Sequence, residues 1–335
     1  MNGYVIAVDA MGGDNAPRAI IEGCRRAVRK FPDVSILLCG PKAMILPMLG
    51  QEERIEILEA PDVIGMHEQP MLAVRKKTES SLVKAMLAVR EGRAGAVVSA
   101  GSTGAILAGG ILRVGRIPGI ERPALAPIIP GANKPFLLID CGANVDCQAK
   151  YLLQFGLMGS VYMQSVMGVQ VPQVGLCNIG TEAEKGDRLT KEAYGLFSEQ
   201  KIFSFAGNAE VRDVPTGDFD VVVCDGFVGN VLLKTIEGTA KLMMGNLRTY
   251  VRSSLRTKIG ALLLKPALYR LKADLDYKRH GGAPLLGVNG AVVKAHGSSD
   301  GEAIENAIRQ ARLMLEGRVV EKIREGLKED EEDVL

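Results

Sequence analysis

Val5-Ile-Ala-Val-Asp9-Ala-Met-Gly12-Gly13-Asp14-Asn15-Ala-Pro17 reads as a strand, a glycine turn and a helix start in succession. Tyr4 to Val8 is a β-branched apolar run of the kind that fits a strand buried on both faces. The run stops at Asp9, and Pro17 opens a helical pattern from Arg18 to Lys30. Proline is favoured at the first helical position, where its missing N–H costs nothing. A turn of this type can bring bare backbone N–H groups close to an anion.

The same device recurs. Ala96-Val-Val-Ser99-Ala-Gly101-Ser102-Thr103-Gly104 runs into an apolar helix, as do Phe136-Leu-Leu-Ile-Asp140-Cys-Gly142-Ala-Asn144 and Val174-Gly-Leu-Cys-Asn178-Ile-Gly180-Thr181. Val221-Val-Val-Cys-Asp225-Gly226-Phe227-Val228-Gly229-Asn230 and Val292-Val-Lys294-Ala-His296-Gly297-Ser298-Ser299-Asp300 complete the set. Strands alternating with helices predict a largely parallel, doubly wound α/β sheet with helices on both faces. The carboxyl ends of parallel strands share one edge, and ligands bind outside it. The six loops therefore read as the walls of one cleft.

The 335 residues are 47% apolar and 24% charged, ordinary globular composition with length for a large core. A net charge of +2, no Trp and 4% aromatics argue against a nucleic-acid partner, which wants a basic surface and stacking platforms. The six Cys (24, 39, 141, 147, 177, 224) form no C-x-x-C pair and read as reduced thiols of a cytoplasmic protein. No signal peptide is seen before the first strand. Tyr151 to Met167, the longest apolar stretch, is short of the roughly 20 residues of a membrane span and reads as a buried helix. Its Gly156, Gly159 and Ser160 would let another helix approach closely, across a dimer interface for example, or serve ordinary core packing.

One large domain is expected over residues 1–325, with an acidic, frayed tail over 326–335. Elsewhere, Ala124–Ile129 reads as one strand, Asp62 to Lys77 as irregular, and Thr78 or Ser80 as the cap of a helix running to Arg90. Residues 238–282 break the pattern. Arg248, Arg252 and Arg256 recur every four residues, with Lys258 following and Leu262-Leu263-Leu264 beyond. Pro266 should kink or split this helix. A basic, apolar-faced excursion suits a membrane surface or an acidic partner; an arm exchanged between subunits, its arginines merely solvated, fits equally well. Arg75-Lys76-Lys77 is a second basic patch, solvated or in contact with a negative partner.

Standard motifs are missing: no P-loop, no G-x-G-x-x-G, no G-x-S-x-G. His67, His280 and His296 lack metal-ligand spacing, so neither metal nor cofactor is expected. What remains is a cleft of glycine turns, helix N-termini, carboxylates and amines, suited to an anionic substrate. Its candidate residues are Asp9, Gly12, Gly13, Asp14, Asn15, Ser102, Thr103, Asn144, Lys185, Asp225, Gly226, Asn230, Lys234, Lys294 and His296. Singly, many of these also serve as plain turn, cap or solvated residues.

Ile6-Ala-Val-Asp-Ala-Met-Gly-Gly-Asp-Asn-Ala-Pro17 resembles the N-terminal signature of the bacterial acyl-carrier-protein:phosphate acyltransferases of phospholipid synthesis. The resemblance continues through Val98–Gly104, Leu138–Asn144, Asn178–Glu182, Cys224–Asn230 and Lys294–Asp300. It implies a fold like that of phosphotransacetylase and the isocitrate dehydrogenase group. It further implies a cytoplasmic, peripherally membrane-associated homodimer that moves a long acyl group from acyl carrier protein to inorganic phosphate. The acyl phosphate would feed a membrane glycerol-3-phosphate acyltransferase. On that basis Gly12-Gly13 and Ser102-Thr103 would hold phosphate, with charge from Lys185 or Lys294. Asn230 or a backbone N–H near Gly226 would face the oxyanion, and His296 would assist the departing thiol. Arg248, Arg252, Arg256, Lys258 and Leu262–Leu264 would meet carrier protein or an anionic membrane. A phosphotransacetylase-type enzyme using acyl-CoA, or a membrane-associated scaffold of lipid synthesis, are the alternatives.

Overall fold

The computed structural model describes residues 3–216, 219–274 and 281–333; His280 and the last two residues of the expected tail lie outside them. In chain order the first half contains β1 (Tyr4–Asp9), α1 (Arg18–Lys30), β2 (Val34–Gly40), α2 (Lys42–Leu49), β3 (Ile55–Glu59), α3 (Pro70–Lys76), α4 (Ser81–Arg90), β4 (Ala96–Ser99) and α5 (Thr103–Gly109), the last continued by a π turn over Gly110–Val114. Then come β5 (Ala124–Leu125), β6 (Ile128–Ile129), β7 (Phe136–Ile139), α6 (Ala149–Met167), β8 (Gln173–Asn178), α7 (Arg188–Glu199), β9 (Ser204–Glu210) and β10 (Val221–Val223). The remainder is α8 (Gly226–Arg252), α9 (Leu255–Leu263), α10 (Lys265–Asp274), β11 (Ala283–Leu286), β12 (Ala291–Lys294), α11 (Gly301–Glu316) and α12 (Val319–Asp333).

The parallel, doubly wound pattern is present, divided between two sheets. One has the order β3-β2-β1-β4-β12-β11-β5 and the other β6-β7-β10-β8-β9. All pairings are parallel except those of β11 and β6 with their neighbours. The division falls inside the stretch expected to be one strand, Ala124–Ile129. Pro127 has no N–H to give a ladder. Ala126 N donates to Pro284 O in the first sheet, while Leu138 N donates to Pro127 O from the second. The chain changes sheets across these residues.

Strand side chains alternate between faces. Ile6, Val8, Ile36, Leu38, Val98 and Val293 of the first sheet share a core with Leu137, Ile139, Leu176 and Val223 of the second, under α1, α11 and α6. The opposite face of the first sheet (Ala7, Leu37, Val97, Val292) packs on α4 and α5. That of the second (Leu138, Val222, Cys224) is covered by Leu232, Leu233 and Ile236 of α8. Both faces of each sheet are thus covered, which is why the strands are unbroken apolar runs.

Other expectations are narrowed or corrected. Of the two readings of Gly156 and Gly159 in α6, ordinary core packing holds. A Cβ on Gly156 would lie 2.7 Å from Phe203, and one on Gly159 would lie 2.6 Å from Val221, so these glycines seat α6 on the second sheet. Residues before Lys77 hold α3, opened by Pro70. Ser80 stands before α4, but its hydroxyl donates to Lys77 O instead of capping. The acidic tail is helical as the last turns of α12. The excursion breaks at Ser253-Ser254, where Ser254 and Thr257 form a capping box, and again before Pro266.

Candidate active site

The carboxyl ends of β4 and β12 face the start of α8 and the β7 loop across a cavity of about 370 Å³ at the seam of the two sheets. The polar part of its lining is Thr103, Asn230, Lys234, Glu237, Lys294 and His296. The apolar part is Leu125, Pro127, Ile128, Ile129, Cys141 and Leu233. Gly142, Gly282 and Ala283 complete the lining.

The Asp225-Gly226-Phe227-Val228-Gly229-Asn230 sequence explains how α8 reaches this position. The Asp225 carboxylate caps the helix, accepting from Phe227 N at 2.9 Å and Val228 N at 3.0 Å. Gly226 and Gly229 let the first turn lie directly on the β7 loop: a Cβ on Gly226 would sit 2.7 Å from Asn144 O. Asn230 and, one turn later, Lys234 then face the cavity. The backbone N–H groups here are committed, Gly226 N to Asn144 O and Gly229 N to Asp225 O. The expectation that an N–H near Gly226 faces an oxyanion is therefore corrected; of that pair, Asn230 alone presents a group to the cavity.

The glycine turn after β1 is likewise turned inward. Asp9 is 2% exposed, so it does not line the cleft. Ser99 Oγ donates to it at 2.6 Å and Met11 N at 3.1 Å, with Gly12 N adding a further bond. Burial pushes its carboxyl above the usual carboxylate range despite these donors. A Cβ on Gly12 would lie 2.6 Å from Asp9 Oδ2 and 2.7 Å from Gly101 N, so only glycine allows the β1 and β4 loops to meet. Gly13 turns the chain with φ of 97°, a conformation that costs glycine little. The exposed Asp14 and Asn15 tie the loop to the end of β12, through Asp14 N to Gly297 O (2.8 Å) and Asn15 Nδ2 to Ser299 O (3.1 Å). The bare N–H cradle expected at Gly12-Gly13 is thus mostly used within the protein. Its effect is to hold the loops that carry Thr103 and His296. Ser102 caps α5 by accepting from Ala105 N at 3.2 Å, leaving Thr103 at the cavity.

Burial, and then the neighbouring Lys234 cation, lower the pKa of Lys294; Glu237 opposes them. Lys294 Nζ donates to Ala295 O at 3.2 Å, and Lys234 pairs with Glu237 at 2.9 Å. Ser298 N donates to His296 Nδ1 at 3.1 Å. The neutral ring therefore carries its proton on Nε2.

Asn144 is structural: its Nδ2 donates to Pro123 O at 2.8 Å and to Asp140 Oδ2 at 3.0 Å. Lys185 is exposed on the β8–α7 loop and is not among the residues lining the cavity. Two residues escaped the sequence reading. Asp140, buried, accepts from Leu125 N across the seam (2.9 Å) and from Ala143 N and Asn144 N (2.6 Å). Burial pushes its carboxyl up to about 6. Glu237 lies one helical turn beyond Lys234, and its i,i+3 spacing from that lysine was the available signal. Among the described residues no cluster of three or more His, Cys, Asp or Glu could hold a metal ion.

The family model described as "Fatty acid synthesis protein" matches residues 4–322. The chain is 51% identical to a phosphate acyltransferase of Clostridium acetobutylicum, over 97% of this chain and 99% of the relative. It is 52% identical to one of Clostridium perfringens, over 96% of each. Among solved structures it is similar to a phosphotransacetylase from Streptococcus pyogenes, with TM-score 0.59, 16% identity, and 95% of this chain and 94% of that one covered. A branched-chain phosphotransacylase from Enterococcus faecalis gives TM-score 0.58 at 17% identity, over 92% and 98% of the two chains. At such identity the two structures speak for the fold alone.

Proposed function

The chain belongs to the fatty acid synthesis protein family and is a phosphate acyltransferase, and from that premise we propose that its donor is a long-chain acyl carrier protein and its acceptor inorganic phosphate. The observation that carries this reading is the mixed lining of one cavity, cations and hydrogen-bond donors together with hydrocarbon. A phosphate oxygen attacks the thioester carbonyl, the C–O bond forms, the C–S bond breaks, and the sulfur leaves with the electron pair. A thiol of pKa roughly 8.5 leaves readily, so little acid–base assistance is needed. Phosphate is held by Lys294 and Lys234 with Thr103 beside them. Asn230 Nδ2 donates to the developing oxyanion, and His296 Nε2–H donates a hydrogen bond to the departing thiolate, which takes its proton from solvent. Holding the reactants in line and stabilising charge are then the protein's main contributions.

The outer part of α8, with α9 and α10, supplies the partner surface of this reading. Arg248, Arg252, Arg256 and Lys258 are exposed. Leu262 and Leu263 are 69% and 78% exposed, and no residue of α9 is buried. An acidic carrier protein or an anionic lipid surface suits this combination, and a second copy of the chain suits its apolar face. No helix among the described residues is long and apolar enough to cross a membrane, so any membrane association rests on such a surface. Lys77 of the other basic patch is already engaged by Glu68 at 2.8 Å.

The test is mass-spectrometric detection of acyl phosphate from palmitoyl carrier protein and phosphate, with palmitoyl-CoA in parallel. Phosphate-dependent product from the carrier protein is expected. Product from the CoA thioester alone would replace this reading by the phosphotransacetylase type.

A further inference from the structure

The apolar lining of the cavity offers a substrate few polar groups. Several backbone groups of 124–129 are already bonded: Leu125 N to Asp140, Leu125 O from Cys141 N, Ala126 N to Pro284 O, and Pro127 O from Leu138 N. Ile128 and Ile129 pair with β7. The side chains of this lining are hydrocarbon, apart from the buried Cys141 thiol, which burial keeps protonated. They line the same cavity as Lys294, Lys234 and Asn230. A substrate whose anionic end meets the cations has its other end against hydrocarbon.

We propose that this apolar lining is the acyl-chain site and that Ile129 and Leu233 set the length of chain it takes. The inference rests on the acyl-transfer reading above and adds the specificity determinants. Ile129 is 1% exposed and packs into the core of Phe136, Leu138 and Val222 behind it, so it is a rigid floor. Leu233 is half-buried on α8, one residue before Lys234, and packs against the cluster that contains Ile129. The volume of about 370 Å³ is at the small end of the usual range for ligand sites and serves both reacting groups as well as the chain. Selectivity therefore comes from the carbons nearest the carbonyl, and more distant ones lie outside.

The experiment compares kcat/KM for acyl carrier proteins from octanoyl to stearoyl in the wild type, Leu233→Trp and Ile129→Ala. In the wild type each methylene seated raises kcat/KM about fourfold until the site is full, after which the profile is flat. Leu233→Trp moves the plateau to chains at least two carbons shorter, and Ile129→Ala moves it to longer ones. Leu233→Trp alters a half-buried position and tests the proposal even if Ile129→Ala fails to fold. Identical length profiles in a folded Leu233→Trp and the wild type overturn it. Calorimetry with hexyl-, octyl- and decylphosphonate reads the apolar lining without turnover. Binding that tightens with chain length in the wild type but not in Leu233→Trp supports the site even if no acyl phosphate is ever formed. Length-independent binding overturns it while leaving phosphate transfer intact.

Discussion

Gly229→Ala tests the placement of α8 more sharply than any change in the cavity itself. Gly229 lies in the first turn, and a Cβ there would overlap the Asp140 carbonyl oxygen and come within 2.8 Å of Cys224 Sγ. The obstructing atom is backbone of the β7 end, held in place by Cys224 N to Ile139 O and Asp140 N to Cys224 O. It cannot rotate away as a side chain would, so the helix must lift. Overpacking costs about 1–3 kcal/mol in general, and a backbone obstacle puts this site at the upper end. For a chain of 335 residues about 3 kcal/mol is a fall in Tm of roughly 4 °C. Turnover should fall further than stability, because Asn230 is the next residue and a displacement of about 1 Å can cost about 100-fold. The assay is thermal denaturation with kcat/KM measured well below the lowered Tm. Gly195→Ala in α7 is the control: an exposed position with nothing within 4 Å of the added Cβ. It should gain up to about 1 kcal/mol and keep its turnover. A Gly229→Ala protein with Tm within 1 °C of wild type and undiminished kcat/KM would refute the reasoning.

Three other outcomes are expected. Glu237 favours the charged form of Lys294 and Lys234 disfavours it, so Glu237→Gln should move the alkaline limb of the kcat/KM profile to lower pH and Lys234→Met to higher pH. The shifts should be small, since the Lys234 side chain is 59% exposed and screened; shifts of the same sign would exclude a role for the Lys294 charge. The Asp140 carboxyl, held at about 6 in the fold, binds its proton more tightly there than in the unfolded chain. Its contribution is fully present below about pH 4 and is lost as pH rises through about 6, worth up to about 3 kcal/mol. Urea denaturation should show the stability advantage of wild type over Asp140→Asn growing as pH falls from 7 to 4.5. Finally, Arg252→Glu with Arg256→Glu should raise KM for acyl carrier protein at low salt at least tenfold, with an effect that shrinks as salt screens the charges. Unchanged KM together with lost binding to anionic vesicles would assign the surface to lipid instead.

The fold was legible where it depends on local periodicity. Arg18–Lys30 forms with the expected bounds, and α4 ends at Arg90 as expected, because apolar spacing and flanking turns agree. The division into two sheets was not legible, because it turns on which sheet Ala126 and Pro127 bond to, a choice made by residues far away in the chain. The strand-end motifs located the site in outline: Thr103, Asn230, Lys234, Lys294 and His296 do line one cavity. The same motifs misled over Asp9, Asn144 and Asp225. A carboxylate after a strand looks the same in sequence whether it faces a ligand or collects its own loop's N–H groups, and these residues satisfy backbone. Lys185 was grouped with them by motif order alone, and β8, which leads into its loop, lies between β10 and β9 in its sheet.

That inward turning has a chemical consequence. Helix starts and glycine loops commonly supply fixed backbone N–H groups to phosphate, a partial positive charge that does not titrate. Here Asp9 and Asp225 take much of that backbone capacity, and the α8 helix start is closed off by its own cap. The free positive charge at the cavity then resides on Lys234 and Lys294, and Lys234 is partly neutralised by Glu237. An arriving phosphate must compete with Glu237 for Lys234, so phosphate binding and the Lys234–Glu237 pair oppose each other. A cavity that must also accept hydrocarbon gains from this arrangement. With no phosphate bound, the ion pair lowers the net positive charge at the cavity. Phosphate binding and acyl seating should therefore be coupled through Glu237, with Glu237→Gln tightening phosphate binding while weakening that coupling.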